Sequence, residues 1–369
     1  MFNIKNVEKY KRLANFGWKV LAANYKNLSF PVKLNYAVTY RCNQRCLTCN
    51  IWEKAPDEEM SLEEIDAFFR KNPGFNWIDL TGGEIFLRKD IHEILRIIVS
   101  CCKNLYLLHF PTNGSCYKEV IRAIDFLMSS PVPLIIATVS IDGDEETHNR
   151  IRGKENAFKF ALETFLELKK RTNSKFKVYA GMTISRFNIK RFHEILRKME
   201  EGIPGLTYND MHLNFAQAST HYYQNDADVL IDPTKQIEIF NELSDRTQSE
   251  GRGIIKYLES HYQSLAVEFL KEHKNPAVCQ ALSCSLFMDP GGQLFPCITW
   301  NKRLGKIKDY QYSLDTFLQD SKIMELRKDV IDGRCPNCWT PCEAYQSIMA
   351  RTAPFSRWNH NILSGKNKT

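Results

Sequence analysis

Six short apolar segments, separated by helix-like segments, constrain the fold of this 369-residue chain more than any other feature. Several of them are almost continuously apolar, which is typical of parallel strands covered on both faces. The six predicted strands are KLNYAVTY, WIDLTG, LYLLHFPTN, LIIATVSID, KVYAGMTIS and MHLNFAQ. Their alternation with helices predicts an α/β fold, a partial (β/α)6 TIM-like barrel with its functional loops at the carboxyl ends of the strands.

Helix and turn signals in the sequence predict further elements and divide the chain into units. Ser61 and Glu64 form a predicted capping box. Asp289 to Gly292 is the predicted turn of a cysteine-bearing hairpin. Other helical segments are predicted at 91–99, near Lys118, Lys154 and Lys190, and from Pro233 to His273. The predicted units are an amphipathic helix in 1–30, the barrel in 31–232, a helical connector in 233–273, a small cysteine-rich domain in 274–350 and a tail in 351–369, with a turn-rich boundary at 219–233.

Charge and hydropathy exclude several classes of protein. The 50 basic and 43 acidic residues leave a net charge of +7 that is spread along the chain, so a dedicated nucleic-acid binder is not expected. No apolar run is long enough to span a bilayer, and the first twenty residues lack the apolar core of a secretory signal. We therefore expect a cytoplasmic protein.

The amino-terminal segment has an apolar stripe at helical spacing. Val7, Tyr10, Ala14, Trp18 and Leu21 make up this stripe. We predict that it packs on the main domain, and contact with a membrane surface is the alternative.

Twelve cysteines without a secretory signal indicate a reducing compartment, and metal binding or catalysis rather than disulfides. Cys101, Cys102 and Cys116 are isolated and are predicted to be buried apolar residues. The other nine fall into two groups.

The first group follows the first strand directly. Cys42, Cys46 and Cys49 form a C-x3-C-x2-C run, and three thiolates can bind three irons of a [4Fe-4S] cluster while the fourth iron stays open. A structural zinc site would need four ligands, and this loop contains no histidine. Zinc and chance clustering are the alternatives.

With this run and the motifs that follow, the chain resembles the radical SAM superfamily. After the second strand comes TGGE, and the resemblance implies that Gly82, Gly83 and Glu84 bind the amino group of S-adenosylmethionine (SAM). Glycine lets the backbone approach a ligand, and a carboxylate accepts from an amine. Thr48 stands where members of the family have an aromatic residue on the adenine side, a contact that Ile51 or Trp52 would have to replace.

Further motifs resemble the subgroup that has a SPASM domain or its shorter form, the twitch domain. PTNG places Asn113 near the cofactor, SIDG offers Ser140 and Asp142 to its ribose and methionyl parts, and THNRIRG adds Arg152. An Arg fork matches a carboxylate. The alternatives are that Asp142 caps a helix and that Arg152 lies on the surface.

The second group of cysteines lies near the carboxyl end. Its members are Cys279, Cys284, Cys297, Cys335, Cys338 and Cys342. The resemblance implies one auxiliary cluster, bound by Cys279 or Cys284, then Cys297, Cys335 and either Cys338 or Cys342. Zinc and a second, incomplete cluster are the alternatives.

The resemblance implies an enzyme that cleaves SAM reductively to a 5′-deoxyadenosyl radical and abstracts hydrogen from an unidentified small molecule, sugar, lipid precursor or peptide. An electron donor such as flavodoxin or ferredoxin is the implied partner. The alternatives are a SPASM-type peptide or protein maturase and a non-catalytic iron–sulfur or zinc scaffold. His212, His221, Tyr222 and Tyr223 lie near the sixth strand, and no side chain is predicted to be catalytic.

Overall fold

The structure is a computed structural model that describes residues 4–23, 30–54 and 58–351. The predicted tail, apart from its first residue, lies outside this part. The predicted α/β class is confirmed. The strands are β1 (Lys33–Thr39), β2 (Trp77–Gly82), β3 (Leu107–Thr112), β4 (Leu134–Ser140), β5 (Phe176–Ile184), β6 (Met211–Phe215), β7 (Ser285–Met288), β8 (Gln293–Phe295) and β9 (Gly305–Lys306).

The helices connect these strands in the order expected of βα units. They are α1 (Ile4–Ala22), α2 (Leu62–Lys71), α3 (Ile91–Cys101), α4 (Tyr117–Ser129), α5 (Glu145–Arg152), α6 (Ala157–Lys170), α7 (Phe192–Gly202), α8 (Pro233–Glu250), α9 (Gly253–Glu272), α10 (Leu314–Leu318), α11 (Ser321–Ile331) and α12 (Pro341–Arg351). The capping box at Ser61 and Glu64 is confirmed. The sequence interpretation missed α5, and it joined α8 and α9 into one helical stretch that the chain interrupts at Gly251.

One sheet contains all nine strands in the order β6-β5-β4-β3-β2-β1-β7-β8-β9. The first six strands are parallel, and β7 continues the parallel arrangement beside β1. The predicted hairpin is confirmed as β7 and β8, which pair antiparallel. The cysteine-rich segment therefore extends the barrel sheet. The predicted domain boundaries stay predictions.

The two faces of the six-stranded part differ sharply in polarity. In β1, Leu34, Tyr36 and Val38 pack into the apolar core, whereas Asn35 faces a central cavity. Successive strand residues point to opposite faces, so this alternation repeats along the sheet. Side chains of all six strands line the same cavity, which shows that the sheet curls around it.

The free edge of β6 is covered by α9. The Lys256 ammonium donates to the Met211 carbonyl at 2.6 Å, and the Glu259 carboxylate accepts from the Leu213 amide at 3.2 Å. Lys256 and Glu259 also pair with each other at 2.7 Å and are both 3% exposed. Two helix side chains thus bond to the strand groups that another strand would otherwise pair with.

We expect Glu259→Gln to destabilise the protein by about 3–5 kcal/mol, because it leaves the Lys256 charge buried without its counterion. Urea unfolding measures this loss. Glu238→Gln on the exposed face of α8 is the matched control and should change stability by less than about 0.5 kcal/mol. Equal midpoints for the two variants would contradict the assigned pair.

Helix α1 does pack on the main domain, but not through the predicted stripe. Phe16 and Val20 are buried, whereas Tyr10 and Trp18 are 65% and 69% exposed. Arg12 donates to backbone carbonyls of the domain. The predicted face was wrong because the contact surface combines apolar residues with the long stems of basic ones.

The start of α12 closes the gap between the two ends of the six-stranded part. On one side Asn35 of β1 donates to the Glu343 carboxylate at 3.2 Å. On the other side His212 of β6 is bonded to the Tyr345 hydroxyl at 2.6 Å. A turn of helix, rather than a further strand, therefore completes the wall of the barrel.

Candidate active site

The first cysteine group lies on the loop after β1, at the carboxyl edge of the sheet as predicted. Cys42, Cys46 and Cys49 are close enough for their charges to interact, and burial raises the pKa of Cys42 to about 11 and that of Cys49 to about 12. Iron binding requires deprotonated thiols, so the loop needs a compensating positive charge.

Helix α5 fixes the shape of this loop. The Arg45 amide donates to the Arg152 carbonyl at 3.0 Å and the Leu47 amide to the Ile151 carbonyl at 2.8 Å. Gly153 ends the helix with a φ of 57°, and a Cβ there would lie 2.4 Å from the Arg45 carbonyl oxygen. The glycine of the predicted RG pair thus allows the helix end and the cysteine loop to touch.

Arg152 supplies the compensating charge. Its Nη2 pairs with the Asp142 carboxylate at 2.7 Å, and its Nη1 faces the Cys46 sulfur at 3.8 Å. Asp142 also accepts from the Thr183 amide at 3.0 Å and is 2% exposed. The guanidinium bridges a carboxylate and a thiol of the protein itself. Arg152 is therefore not a surface residue, and its guanidinium is already engaged rather than free to bind the carboxylate of a ligand.

The TGGE turn lies against the backbone of the cysteine loop. A Cβ on Gly82 would lie 2.0 Å from the Thr39 carbonyl oxygen, and one on Gly83 would lie 2.1 Å from that of Arg41. Only glycine permits this approach, and Gly82 has a φ of 132°. The Gly82 amide donates to the Tyr222 hydroxyl at 3.1 Å. A tyrosine from beyond β6 therefore closes over the turn.

Glu84 is 1% exposed and is engaged by neighbouring groups. Its carboxylate accepts from the Asn113 amide at 2.6 Å and from the Thr112 hydroxyl at 3.0 Å. The Asn113 side chain donates to Asn43 of the cysteine loop at 2.9 Å. Glu84 and Asn113 together connect the ends of β2 and β3 to that loop.

Burial raises the pKa of Glu84 to about 7 from an ordinary 4.5. The folded pKa exceeds the unfolded one, so this group's contribution to stability is fully present below pH 4.5 and is lost as the pH rises to about 7. The expected loss for the SAM-free protein is about 3 kcal/mol. We expect urea midpoints to fall with pH over this range more steeply for the wild type than for Glu84→Gln. Parallel curves would contradict a buried acid here.

Two polar residues complete this region. Ser140 is half-buried at the end of β4, the position predicted for it. His148 of α5 accepts from the Asp142 amide through Nδ1 at 3.0 Å, and burial lowers its pKa to about 3. A neutral imidazole thus orients the segment that contains Asp142.

A cavity of 220 Å³ lies inside the curled sheet. Its wall includes Cys49 of the first cysteine loop and Cys342 at the start of α12. The strands contribute Asn35, Asp79, His109, Thr138, Thr183, His212 and Asn214. Tyr222 and Tyr223 also line it, so the segment predicted as a boundary is part of the cavity wall.

A buried polar chain forms part of the cavity wall. Lys33 pairs with Asp79 at 2.9 Å, and Asp79 is bonded to His109 at 3.1 Å. His109 reaches the Thr138 hydroxyl with its other nitrogen at 3.0 Å. Burial alone would raise the pKa of Asp79, but Lys33 and His109 lower it well below its usual range. This carboxylate is therefore ionised and already paired.

Four cysteines of the second group lie close together. The Thr299 hydroxyl lies 3.2 Å from the Cys297 sulfur and 3.4 Å from the Cys338 sulfur. Cys279 lies close enough to Cys297 and Cys338 for their charges to interact, and Cys335 is likewise close to Cys338. These four thiols form one group.

The other two cysteines of this group lie in different surroundings. Cys284 is fully buried, with its sulfur 3.6 Å from the Gln280 side chain. Cys342 faces the cavity, and its carbonyl accepts from Lys33 at 2.6 Å. Its thiol is also close enough to Cys338 for their charges to interact. Of the isolated cysteines, Cys102 is buried as predicted, whereas Cys101 and Cys116 are only half-buried against the core.

The Radical SAM superfamily profile matches residues 36–199, which contain the cysteine loop, the TGGE turn and Arg152. Residues 36–199 therefore form a domain of the radical SAM superfamily. This radical SAM enzyme thereby has a [4Fe-4S] cluster and SAM as cofactors, and the scaffold alternative is set aside. The resemblance drawn from the motifs is confirmed.

Three known proteins show what this radical SAM enzyme is similar to. The antilisterial bacteriocin subtilosin biosynthesis protein AlbA of Bacillus subtilis is 23% identical over 87% of this chain and 65% of its own length. The sporulation killing factor maturation protein SkfB of the same organism is 27% identical over 46% of this chain and 39% of its own. Both matches support the SPASM or twitch subgroup. The chain spans less than two thirds of the length of either relative.

A solved structure shares the fold. Streptococcus suis SuiB bound to its precursor peptide SuiA superposes with a TM-score of 0.58, over 86% of this chain and 70% of that one, at 16% identity. No helix in the described residues is long and apolar enough to cross a membrane.

The residues fit the cofactors of a radical SAM enzyme. Among the described residues no three candidate ligands converge on a single metal ion. A [4Fe-4S] cluster takes one thiolate per iron, so its ligands need not converge on one point. The first loop has three thiols beside one guanidinium, and the TGGE turn packs against this loop.

Sequence reasoning missed Asn35, Asp79 and His109, and it gave Tyr222 no role. The first three are neighbours in the register of β1, β2 and β3. Their signal was present as single polar residues at alternate positions of otherwise apolar strands. The sequence placed Tyr222 near the sixth strand, but its contact with Gly82 forms only in the folded chain.

Proposed function

We propose that this enzyme modifies a peptide that binds in the central cavity. The observation that carries this proposal is the cavity wall, which includes Cys49 of the first cysteine loop and Cys342 of the second cysteine group. A substrate held there would lie next to both groups. The names of AlbA and SkfB, and the peptide bound to SuiB, support a peptide as the substrate.

We assign the first cluster to Cys42, Cys46 and Cys49. Once bound, a reduced cluster would supply the electron that cleaves SAM to methionine and a 5′-deoxyadenosyl radical, and that radical would take a hydrogen atom from the substrate. Arg152 offsets the negative charge of the thiolates, since it lies 3.8 Å from Cys46. Gly82 and Gly83 let the TGGE turn lie against the cysteine loop, and the wall formed by α12 excludes water.

We propose other roles for four of the SAM-binding candidates. The Glu84 carboxylate is bonded to Asn113 and Thr112, and Arg152 is paired with Asp142. We propose that Glu84, Asn113, Asp142 and Arg152 position the loops around SAM, while Gly82, Gly83 and Ser140 offer it direct contacts.

We assign the auxiliary cluster to Cys279, Cys297, Cys335 and Cys338. These four thiols match the four ligands that such a cluster takes. Among the options left open by spacing, this choice selects Cys279 over Cys284 and Cys338 over Cys342. A flavodoxin or ferredoxin as the electron donor stays a prediction.

The test is formation of 5′-deoxyadenosine from SAM by anaerobically reconstituted, dithionite-reduced enzyme. We expect a pool of random-sequence peptides to increase the formation of 5′-deoxyadenosine. Some of these peptides should also be converted to products of altered mass. A mixture of nucleotides and sugars is the control. Stimulation by that mixture and not by the peptides would overturn a peptide substrate.

A further inference from the structure

Three buried polar atoms on the cavity wall have no hydrogen-bond partner among the described residues. They are Asn35 Oδ1, Thr340 Oγ1 and Gln217 Nε2. The side chains of Asn35 and Thr340 are both only 1% exposed. An unmet buried polar group costs about 1–3 kcal/mol, and native proteins contain few of them. Three such atoms on one cavity wall indicate a polar ligand that supplies the missing partners.

The orientation of Asn35 is set by its neighbour. Its Nδ2 donates to the Glu343 carboxylate at 3.2 Å, which leaves Oδ1 as the unmet atom. Carbonyl oxygens only accept hydrogen bonds. Asn35 therefore requires a donor from the ligand.

Thr340 lies on the same wall. Its carbonyl accepts from the Glu343 amide at 3.1 Å, which places it beside the partner of Asn35. Its hydroxyl makes no capping bond to α12 and can donate or accept. Gln217 follows β6, and its Nε2 is a donor without an acceptor. The wall thus offers one acceptor, one donor and one hydroxyl.

The charge of the cavity narrows the chemistry of the ligand. Among the described residues that line it, none is Lys or Arg. Asp79 is already paired with Lys33, and burial lowers the pKa of His212 and favours its neutral form. A phosphate or carboxylate buried here would lack a cation. The unmet atoms therefore fit an uncharged group that both donates and accepts.

We propose that Asn35, Thr340 and Gln217 form a subsite that binds one backbone amide of the substrate peptide. The amide N–H donates to Asn35 Oδ1, and its carbonyl accepts from Gln217 Nε2 or the Thr340 hydroxyl. This inference rests on the proposed peptide substrate and specifies how it is held. Because the subsite binds the backbone, it fixes the orientation of a residue while leaving its side chain to other contacts.

The test uses crystals of the reconstituted, SAM-loaded enzyme soaked with N-methylacetamide or with methyl acetate. The two probes share a carbonyl, but only the amide has the N–H that Asn35 requires. We expect the amide to bind between Asn35 and Thr340, and the ester to bind about tenfold more weakly across a concentration series. Equal binding of the two probes would overturn the subsite. Binding of inorganic phosphate at the same position would overturn it as well.

Matched variants separate the subsite from general damage to the cavity. Thr340→Val removes the unmet hydroxyl, whereas Thr183→Val makes the same change elsewhere on the cavity wall. We expect only the first to weaken binding of N-methylacetamide, with iron content and circular dichroism unchanged in both. Unchanged binding in Thr340→Val would count against the assignment.

The two proposals fail in different ways. Wild-type enzyme that forms 5′-deoxyadenosine with peptides but binds no amide at Asn35 would overturn the subsite alone. Enzyme that forms none with any peptide, while N-methylacetamide still occupies the cavity, would overturn the proposed function and leave the amide site.

Discussion

Cys46→Ala is expected to reduce 5′-deoxyadenosine formation to the level of a protein-free control. The substitution removes one of the three thiolates assigned to the first cluster, which is also one of the two partners named for the Arg152 guanidinium. Iron content should fall from about eight to about four atoms per chain, because the auxiliary site is untouched. Anaerobic reconstitution, iron and sulfide analysis and chromatography of the nucleoside products measure both effects.

The matched control is Cys102→Ala, which also removes a thiol but at a buried position outside both cysteine groups. It should keep all of the iron and the SAM-cleaving activity. Retained SAM cleavage in Cys46→Ala would refute the assignment of the first cluster.

Cys335→Ala is expected to remove the auxiliary iron and to leave the first cluster intact. Cys342→Ala is expected to keep both, since the four thiols assigned to the auxiliary cluster already supply all of its ligands. The two variants should therefore bind about four and about eight iron atoms per chain. Iron analysis and electron paramagnetic resonance of the reduced proteins distinguish them.

Two outcomes would change this picture. Loss of iron in Cys342→Ala would make Cys342 a ligand and reopen the choice between Cys338 and Cys342. Zinc in place of iron in the wild-type auxiliary site would exclude a redox role there, because zinc does not change oxidation state.

Periodicity and motif order were sufficient to predict the six parallel strands. The predicted WIDLTG strand coincides with β2, and the loop that contains Cys42 begins where β1 ends. These features depend on local apolar runs and on glycine turns, which the sequence displays directly. The capping box at Ser61 has the same local origin.

Features that depend on long-range contact could not be predicted in this way. The buried face of α1 is set by the surface it meets, so the apolar stripe through Trp18 proved to be the exposed one. Asn35 and Thr340 are 305 residues apart in sequence and meet on one wall only after folding. Cysteine spacing likewise left Cys284 and Cys342 open as ligands, and the proposed choice of Cys279 and Cys338 rests on contacts that form only in the folded chain.

Closure of the barrel by α12 has a consequence for how the enzyme is made. A ribosome completes β1 to β6 long before it reaches residue 341, and amino-terminal parts of a chain generally fold first. Until α12 docks between β1 and β6, the side of the nascent barrel is open. Iron–sulfur assembly factors would have their widest access to the Cys49 side of the loop during that interval, so the order of synthesis favours loading the first site before the wall is sealed.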